Sequence, residues 1–458
     1  MDNAVGTNEK VGFNSWCPLL IFDSMQKLKE LAQKIRKIGK DDPRRVLHSL
    51  KVGLALTLVS IFYYVNPLFH GLGTSTMWAV FTVVVVMEYT VGGTLSKGLN
   101  RAFATLLAGA LGLGAHHLAA LAGDKGEPIL LGMFVFMLGK AAAMATFSRF
   151  MPEIKARYDY GVTIFILTFS LVAVSSYRVE ELIKLAYQRL STVAIGVTTC
   201  LCTSMFVFPI WAGEDLHMLV AANLDKLACF LEEGMGVEYF GEKMESGSLE
   251  GKSFLQSYKT VLNSKATEDS LANFARWEPG HGRFGFRHPW NQYLKIGAIT
   301  RHCACSIDAL NAYISTLQQS HKSSQTTTDL EFKQKVQVAC ANMSKETGKA
   351  LAELASSIRE MKWSSIAGKH LAIATETACR VKALVPAENS TLLEVLISAT
   401  TVSLLTEVVR CTNPVIAAVE ELSRLAEFKR PEHGRKAGTV KPIADIESLP
   451  HAVIVIEK

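Results

Sequence analysis

Signatures of catalysis are missing from this sequence of 458 residues. No serine, histidine and acid arrangement, zinc signature or phosphate-binding loop occurs, and the glycine-rich GALGLG at 109–114 lies in an apolar run with no strand before it. An enzyme is therefore not expected, and no cofactor is called for. The N-terminus is polar through Lys10 and has no short apolar run closed by a small-residue cleavage site, so no removed signal peptide is expected. The nine cysteines are odd in number and scattered, which argues against a disulfide framework and for a reducing compartment. His302, Cys303 and Cys305 stand close together, but on a helix the two cysteines would point to different sides, and no matching pair stands nearby. After Trp211 strand-like alternation of a length comparable to the helical periodicity is absent as well.

What the chain has in excess is apolar residues: 49% of it is hydrophobic, and its mean hydropathy is positive. The excess is concentrated between Val52 and Trp211, in runs at about 52–65, 77–95, 102–122, 128–147, 160–175 and 190–208. Several can extend into their flanks to reach the ~20 residues that a bilayer requires. The expectation is an all-α integral membrane protein, six transmembrane helices followed by a cytosolic helical bundle. Its parts are a basic amphipathic segment at 1–45, a six-span pore domain at 46–211, a cytosolic helical domain at 212–428 and a tail at 429–458. Within the first part, Ile21, Met25, Leu28, Leu31, Ala32, Ile35 and Ile38 recur at helical spacing among lysines. That pattern suits a helix lying on a membrane surface or one packed on the protein's own cytosolic domain.

Cations sort the loops. Lys40, Arg44, Arg45 and Lys51 precede the first run, Lys97 and Arg101 follow the second, and Arg149, Lys155 and Arg157 follow the fourth. The alternate loops are poorer in them, which places both termini in the cytosol. Along the third run, Ala104, Ala108 and Gly112 form a small-residue stripe that favours close helix packing in lipid.

Lys97 and Arg101 stand four residues apart between two apolar runs, where a helix holds both on one face. They either mark a cytosolic loop or line a path. Arg189 falls about 15 Å into the sixth helix if that helix starts near Val179, and Lys140 sits within the fourth run. The acids able to neutralise them are few: Glu88 in the second run and Asp159 at the start of the fifth. More cations than anions at depth implies a path that attracts anions. Two like charges on one helix face repel, and a transient carboxylate beside them offsets that repulsion. A dicarboxylate such as malate fits, and chloride, nitrate or sulfate fit the electrostatics too.

After Trp211 the pattern becomes that of an ordinary helical bundle. Apolar residues recur at Leu216, Val220, Leu224, Leu227 and Leu231, then at Tyr293, Ile296, Ile299, Cys303, Ile307 and Leu310, and again at Leu351, Leu354 and Ile358. A late series from Val402 to Leu422 reads as one long helix. The interruption WEPGHGRFGFRHPW at 277–290 holds prolines that stop helices and glycines that loosen the backbone. Its basic and aromatic content superficially suits nucleic acid, but beside a membrane domain a packed loop is expected and no nucleic acid. Serines and threonines at 315–328 read as an exposed linker.

Asp41-Asp42-Pro43-Arg44-Arg45, MWAVFTVVVVMEYTVGGTLSKGLNR, RYDYGVTIFILTFSLVAVSSYR, FPIWAGEDLH and the tripeptide Trp277-Glu278-Pro279 together carry a resemblance to the plant aluminium-activated malate transporter family. It covers residues 41–428. The resemblance implies an anion channel that works as a homodimer, with a six-span half and a cytosolic helical half. It implies that Lys97, Arg101 and Arg189 line the anion path. Lys140 matches no family motif, while Arg149 and Arg178 match as boundary residues. Members are inhibited by GABA through a stretch matching residues 206–216 here. Aluminium, a hard trivalent ion, prefers oxygen ligands, and the outer loops offer Asp124, Glu127, Glu180 and Glu181. Whether aluminium activates this chain stays open, as does the membrane, the plasma membrane being favoured over the vacuolar one.

The leading expectation is passive efflux of malate and inorganic anions. A proton-coupled organic-acid exporter is the alternative and would need a titratable relay, for which Glu88 or His116 are the candidates. A membrane-anchored scaffold leaves the cations at depth unexplained.

Overall fold

Asp42 and Pro43 open the first helix as their chemistry dictates. The Asp42 carboxylate accepts the Arg44 amide at 3.2 Å, and proline takes the first helical position, where its missing N–H costs nothing. In the computed structural model of the chain this helix, α1, runs Pro43–Tyr64. The structure describes residues 42–64, 77–121, 123–175, 179–235, 257–285, 287–321, 330–384 and 392–430, with scattered positions between 26 and 40. There follow α2 (Met77–Val86), α3 (Val91–Ala120), α4 (Gly123–Ser148), α5 (Pro152–Ser175), α6 (Val179–Phe206) and α7 (Ala212–Cys229). After α7 come a π-helical turn (Phe230–Gly234), α8 (Lys259–Leu262), α9 (Lys265–Ala275), α10 (Trp290–His321), α11 (Leu330–Glu360), α12 (Ile366–Leu384) and α13 (Leu392–Leu425). Among the described residues there is no strand, only two isolated bridges, so the all-α expectation holds.

The six-span part of that expectation is met less fully. α1 to α6 do follow one another over the apolar half, yet among the described residues only Ala186–Phe206 in α6 and Val395–Leu425 in α13 are long and apolar enough to cross a bilayer. The second expected span, 77–95, is broken: α2 has 10 residues, or about 15 Å, and the chain leaves the helix at Met87 to Thr90 before α3 begins. Lys97 and Arg101 therefore stand in the first turns of a 30-residue helix and not in a loop. The described positions between 26 and 40 are helical, but the apolar residues of the expected amphipathic face lie outside them.

The chain forms two compact units. The first is Met1–Asn223 with Lys259–Arg301, so the 277–290 loop belongs with the apolar helices. Here α3 packs on α5 and α6, and α6 also receives α1 and α2. The closest approaches are made at glycine. A Cβ on Gly196 would sit 2.7 Å from Thr82 and 2.9 Å from the Ala79 carbonyl, and one on Gly98 would sit 2.9 Å from Val197. The Ala104, Ala108 and Gly112 stripe is buried, as close packing in lipid requires. The outer surface is apolar: Phe81, Phe103, Ile129, Phe136, Met144 and Phe150 are each more than half exposed.

The second unit is Leu224–Tyr258 with His302–Lys458. Within it α11, α12 and α13 pack against one another. The periodic residues read from sequence in both units are buried, including the whole series from Val402 to Leu422; Ile299 is partly exposed. That series lies in one helix, α13, despite Pro414 within it. Buried Tyr258 donates to Asp308 at 3.0 Å and accepts from Asn311 at 3.0 Å. The expected linker at 315–328 is corrected in part, because α10 continues helical through His321 and the rest lies outside the described residues.

Candidate functional site

A helix beginning inside an apolar layer must dispose of its first four amides, since no earlier turn accepts them. At α3 each has a partner. Val91 N–H goes to the Ile210 carbonyl at 2.9 Å, Gly92 N–H to Glu278 Oε1 at 3.2 Å, Gly93 N–H to the Thr90 hydroxyl at 3.2 Å and Thr94 N–H to the Thr90 carbonyl at 3.1 Å. Thr90 is thus the cap, and Thr94 closes the break by accepting the Glu88 amide at 3.1 Å.

Glu278 serves a second helix as well. Its Oε1 accepts Ala212 N–H at 2.6 Å and its Oε2 accepts Gly213 N–H at 3.0 Å, so one carboxylate closes the starts of both α3 and α7. The positive ends of two helix dipoles converge on a side chain that is only 1% exposed. Burial pushes the Glu278 carboxyl up, against the pull of the three amides and His281. Glycine is needed on both sides of the clamp: a Cβ on Gly92 would enter Glu278 and the Phe274 carbonyl, and one on Gly213 would enter the Trp290 ring. His281 stacks on Trp211 with ring centroids 3.8 Å apart, and its Nδ1 meets the Pro279 carbonyl at 2.9 Å. Burial also lowers His288, packed on Trp290 and Tyr293, to about 4.

The clamp gathers stretches far apart in the sequence. Arg44 donates to Asp215 at 2.9 Å, His48 meets Tyr89 edge to face, and buried Lys51 donates to the Phe208 carbonyl at 2.6 Å where φ is +47°. The DDPRR, EYTVGG, FPIWAGED and WEP stretches therefore meet in one place.

From this end α3 carries the expected cations inward. Arg101 is 7% exposed and donates through Nη1 to the Tyr160 hydroxyl at 3.1 Å, while its Nε has no hydrogen-bond partner among the described residues. The Arg189 guanidinium carbon lies 3.4 Å from the centre of the Trp78 ring, a cation–π contact that holds charge where water is scarce. Arg101 is close enough to Arg189 for the two charges to repel. Among the described residues neither has a carboxylate partner. Lys97 does: it is ion-paired with Glu88, with its ammonium 5.8 Å from the centre of the Tyr160 ring. Of the two cations read as unpaired, one is thus neutralised locally. Asp159, the other expected counter-charge, is engaged by Arg149 through bonds of 2.6 and 3.2 Å.

Lys140 does not join this group. It is exposed on α4 with its ammonium 4.9 Å from the Phe136 ring centre. Asp124 and Glu127 stand in the first turn and a half of α4, Glu180 and Glu181 in the first turn of α6; their side chains lie outside the described residues. No group of three or more metal-binding side chains occurs among the described residues. Tyr160, Trp78, Gly92 and Gly213 are the participants sequence reasoning passed over. Only a three-dimensional neighbour distinguishes them from other aromatic and small residues of an apolar run.

Comparison with known proteins bears on the chain as a whole. The profile of the family described as aluminium activated malate transporter matches residues 36–393. The chain is 52% identical over 456 residues to the wheat (Triticum aestivum) protein named aluminum-activated malate transporter 1, with 98% of each chain covered. It is 48% identical over 424 residues to the Arabidopsis thaliana protein named aluminum-activated malate transporter 2, covering 91% of this chain and 82% of that one. A third relative, Arabidopsis aluminum-activated malate transporter 7, is 45% identical over 440 residues. With more than half of its length inside the family profile and relatives matched almost end to end, the chain belongs to the aluminium-activated malate transporter family.

Proposed function

We propose that the chain is a passive channel for malate and small inorganic anions, with α1 to α6 crossing a membrane and both termini in the cytosol. The observation that carries this reading is the Arg101 and Arg189 pair, two guanidinium groups in an apolar helical layer without a carboxylate partner among the described residues. Uncompensated charge at such depth is expensive unless a mobile anion or a watery path answers it. Guanidinium grips a carboxylate with two parallel bonds, so a dicarboxylate is a fitting passenger. The relatives are named for malate, which supports the choice. Large exposed apolar side chains on α2 to α5 support the membrane, because a water-facing surface of that kind would aggregate.

Glu88, the acid a proton-coupled exporter would call on, is committed to Lys97, which favours the channel. Activation by aluminium belongs to the same proposal. Asp124, Glu127, Glu180 and Glu181 stand at helix ends reached by following α3 and α5 away from the clamp, where oxygen ligands for a hard cation would be needed. Inhibition by GABA near 206–216, a homodimer and residence in the plasma membrane are carried with it from the family resemblance.

The test is whole-cell voltage clamp of the expressed chain with malate inside and chloride varied outside. The reversal potential should follow the anion gradients, and Arg101→Ala and Arg189→Ala should cut the current at least tenfold while surface expression persists. Undiminished current in both variants removes the pore assignment. Saturable efflux that follows the proton gradient, with no current, replaces the channel by the exporter.

A further inference from the structure

Cys303 on α10 and Cys411 on α13 lie together in the second unit, where the anion path has no use for them. Cys303 is fully buried, and its Sγ donates to the Cys411 carbonyl at 3.0 Å, which sets the two thiols side by side. Cys411 is the outer of the two. Its sulfur lies 3.3 Å from His302 Nδ1 and 3.6 Å from the Ser306 hydroxyl, both on α10, and 3.4 Å from Glu407 Oε1 on its own helix. Glu407 is in turn held by Arg410 through bonds of 2.8 and 2.7 Å, so its negative charge is largely answered. Cys411 itself is only 6% exposed, and the exposed His302 and the 37% exposed Glu407 are the side chains past which a small solute would reach it.

The Ser306 hydroxyl and His302 Nδ1 can each turn a proton toward this sulfur, and donors there favour its thiolate, the reactive form of cysteine. The Cys411 thiol is drawn down to about 6, first by Cys303 and then by Ser306 and His302, while burial and Glu407 oppose. Cys303, hydrogen-bonded to Cys411 and buried, is pushed far up and stays a thiol. The arrangement is asymmetric: an outer activated sulfur backed by an inner protonated one. Cys340 shows the contrast, since that buried thiol is raised to about 12 with burial as its cause.

We propose that Cys411 is a peroxide-reactive site and Cys303 its resolving partner, so that oxidation joins α10 to α13 by a disulfide. In the first step the Cys411 thiolate attacks one oxygen of hydrogen peroxide, the O–O bond breaks, and with one proton the products are Cys411 sulfenic acid and water. In the second, the Cys303 sulfur displaces that hydroxyl as a second water and the S–S bond forms. Two thiols give up two electrons and two protons in all, and one peroxide takes them up. The Cys303 sulfur already touches the Cys411 backbone, and the disulfide then requires the two Cα atoms to stand about 4.4–6.8 Å apart.

The experiment is graded hydrogen peroxide on the purified full chain at pH 7, followed by peptide mapping of every thiol. Cys305 and Cys379 of the same unit, both exposed, are the internal references. A thiol near 6 is about 90% ionised at pH 7, so Cys411 should oxidise at least tenfold faster than either. The expected product is a Cys303–Cys411 linked peptide. In Cys303→Ser the Cys411 sulfenic acid should persist and be trapped by dimedone, whereas the wild-type chain should give little adduct. Loss of Cys305 or Cys379 before Cys411, or a disulfide to any other cysteine, overturns the proposal. The wild-type map decides this even if Cys303→Ser fails to fold.

Discussion

Replacing Glu278 by glutamine removes a charge while keeping shape, which makes it the sharpest probe of the helix clamp. The carboxylate accepts three backbone amides, from Gly92, Ala212 and Gly213, at 3.2, 2.6 and 3.0 Å. Hydrogen bonds to a charged group contribute about 1.5–3 kcal/mol each. Glutamine keeps one acceptor oxygen and turns an NH2 donor toward at least one amide that also donates. One bond or more is then lost, and a buried donor is left unanswered. The expected cost is about 2–4 kcal/mol, near the lower end of that for breaking a buried charged contact. In matched thermal scans of the detergent-purified full chain this amounts to a fall in Tm of about 2–4 °C. Because the clamp fixes the start of the helix that carries Lys97 and Arg101, anion current per surface molecule should fall too. Glu278→Asp keeps the charge but shortens the reach, and should land between wild type and Glu278→Gln. A Tm for Glu278→Gln within about 1 °C of wild type would refute the clamp as a stabilising contact.

Three further outcomes follow from other contacts. Gly213→Ala drives a Cβ into the Trp290 ring and should cost more than about 3 kcal/mol or abolish folding, whereas Gly109→Ala, with nothing within 4 Å, should change stability by less than about 1 kcal/mol in the same scan. Glu88→Gln frees Lys97 from its ion pair and adds net positive charge beside Tyr160; malate current per surface molecule should rise roughly twofold, and a fall would count against the cationic path. His288 is lowered to about 4, so between there and its unfolded value of about 6.5 the unfolded chain binds the extra proton. Stability should therefore be fully present above about pH 6.5 and decline as the pH falls toward 4, by about 1–2 kcal/mol after allowance for partial exposure. His288→Phe should flatten that stretch of the pH profile of Tm.

Much of this architecture was legible in the residues. The 3.6-residue spacing of Leu351, Leu354 and Ile358, or of Val402 to Leu422, buried as read, because a helix packing on one side leaves no other solution. The break at Met87 to Thr90 was not legible, since the run from Met77 to Leu95 is apolar enough to read as one span. What ends α2 there is the combined hold of Thr90, Thr94, Ile210 and Glu278 on the start of α3. Lys97 and Arg101 were found from charge alone, but their different fates were not. Glu88 lies nine residues before Lys97, too far to pair along a straight helix, and reaches it only because the chain breaks between them. Arg189 over Trp78 and Arg101 on Tyr160 are contacts between separate helices, which no local spacing encodes.

The clamp also bears on how this protein can be taken apart. A cut after Trp211, where the composition changes, separates Gly92 from the carboxylate that closes its helix, because that carboxylate comes from residue 278. A fragment of the apolar half made that way would expose an uncapped helix start beside its own arginines. Exchange of halves between relatives meets the same constraint, so a working chimaera has to carry Gly92, Gly213, Glu278 and Trp290 from one parent, wherever else its junction falls.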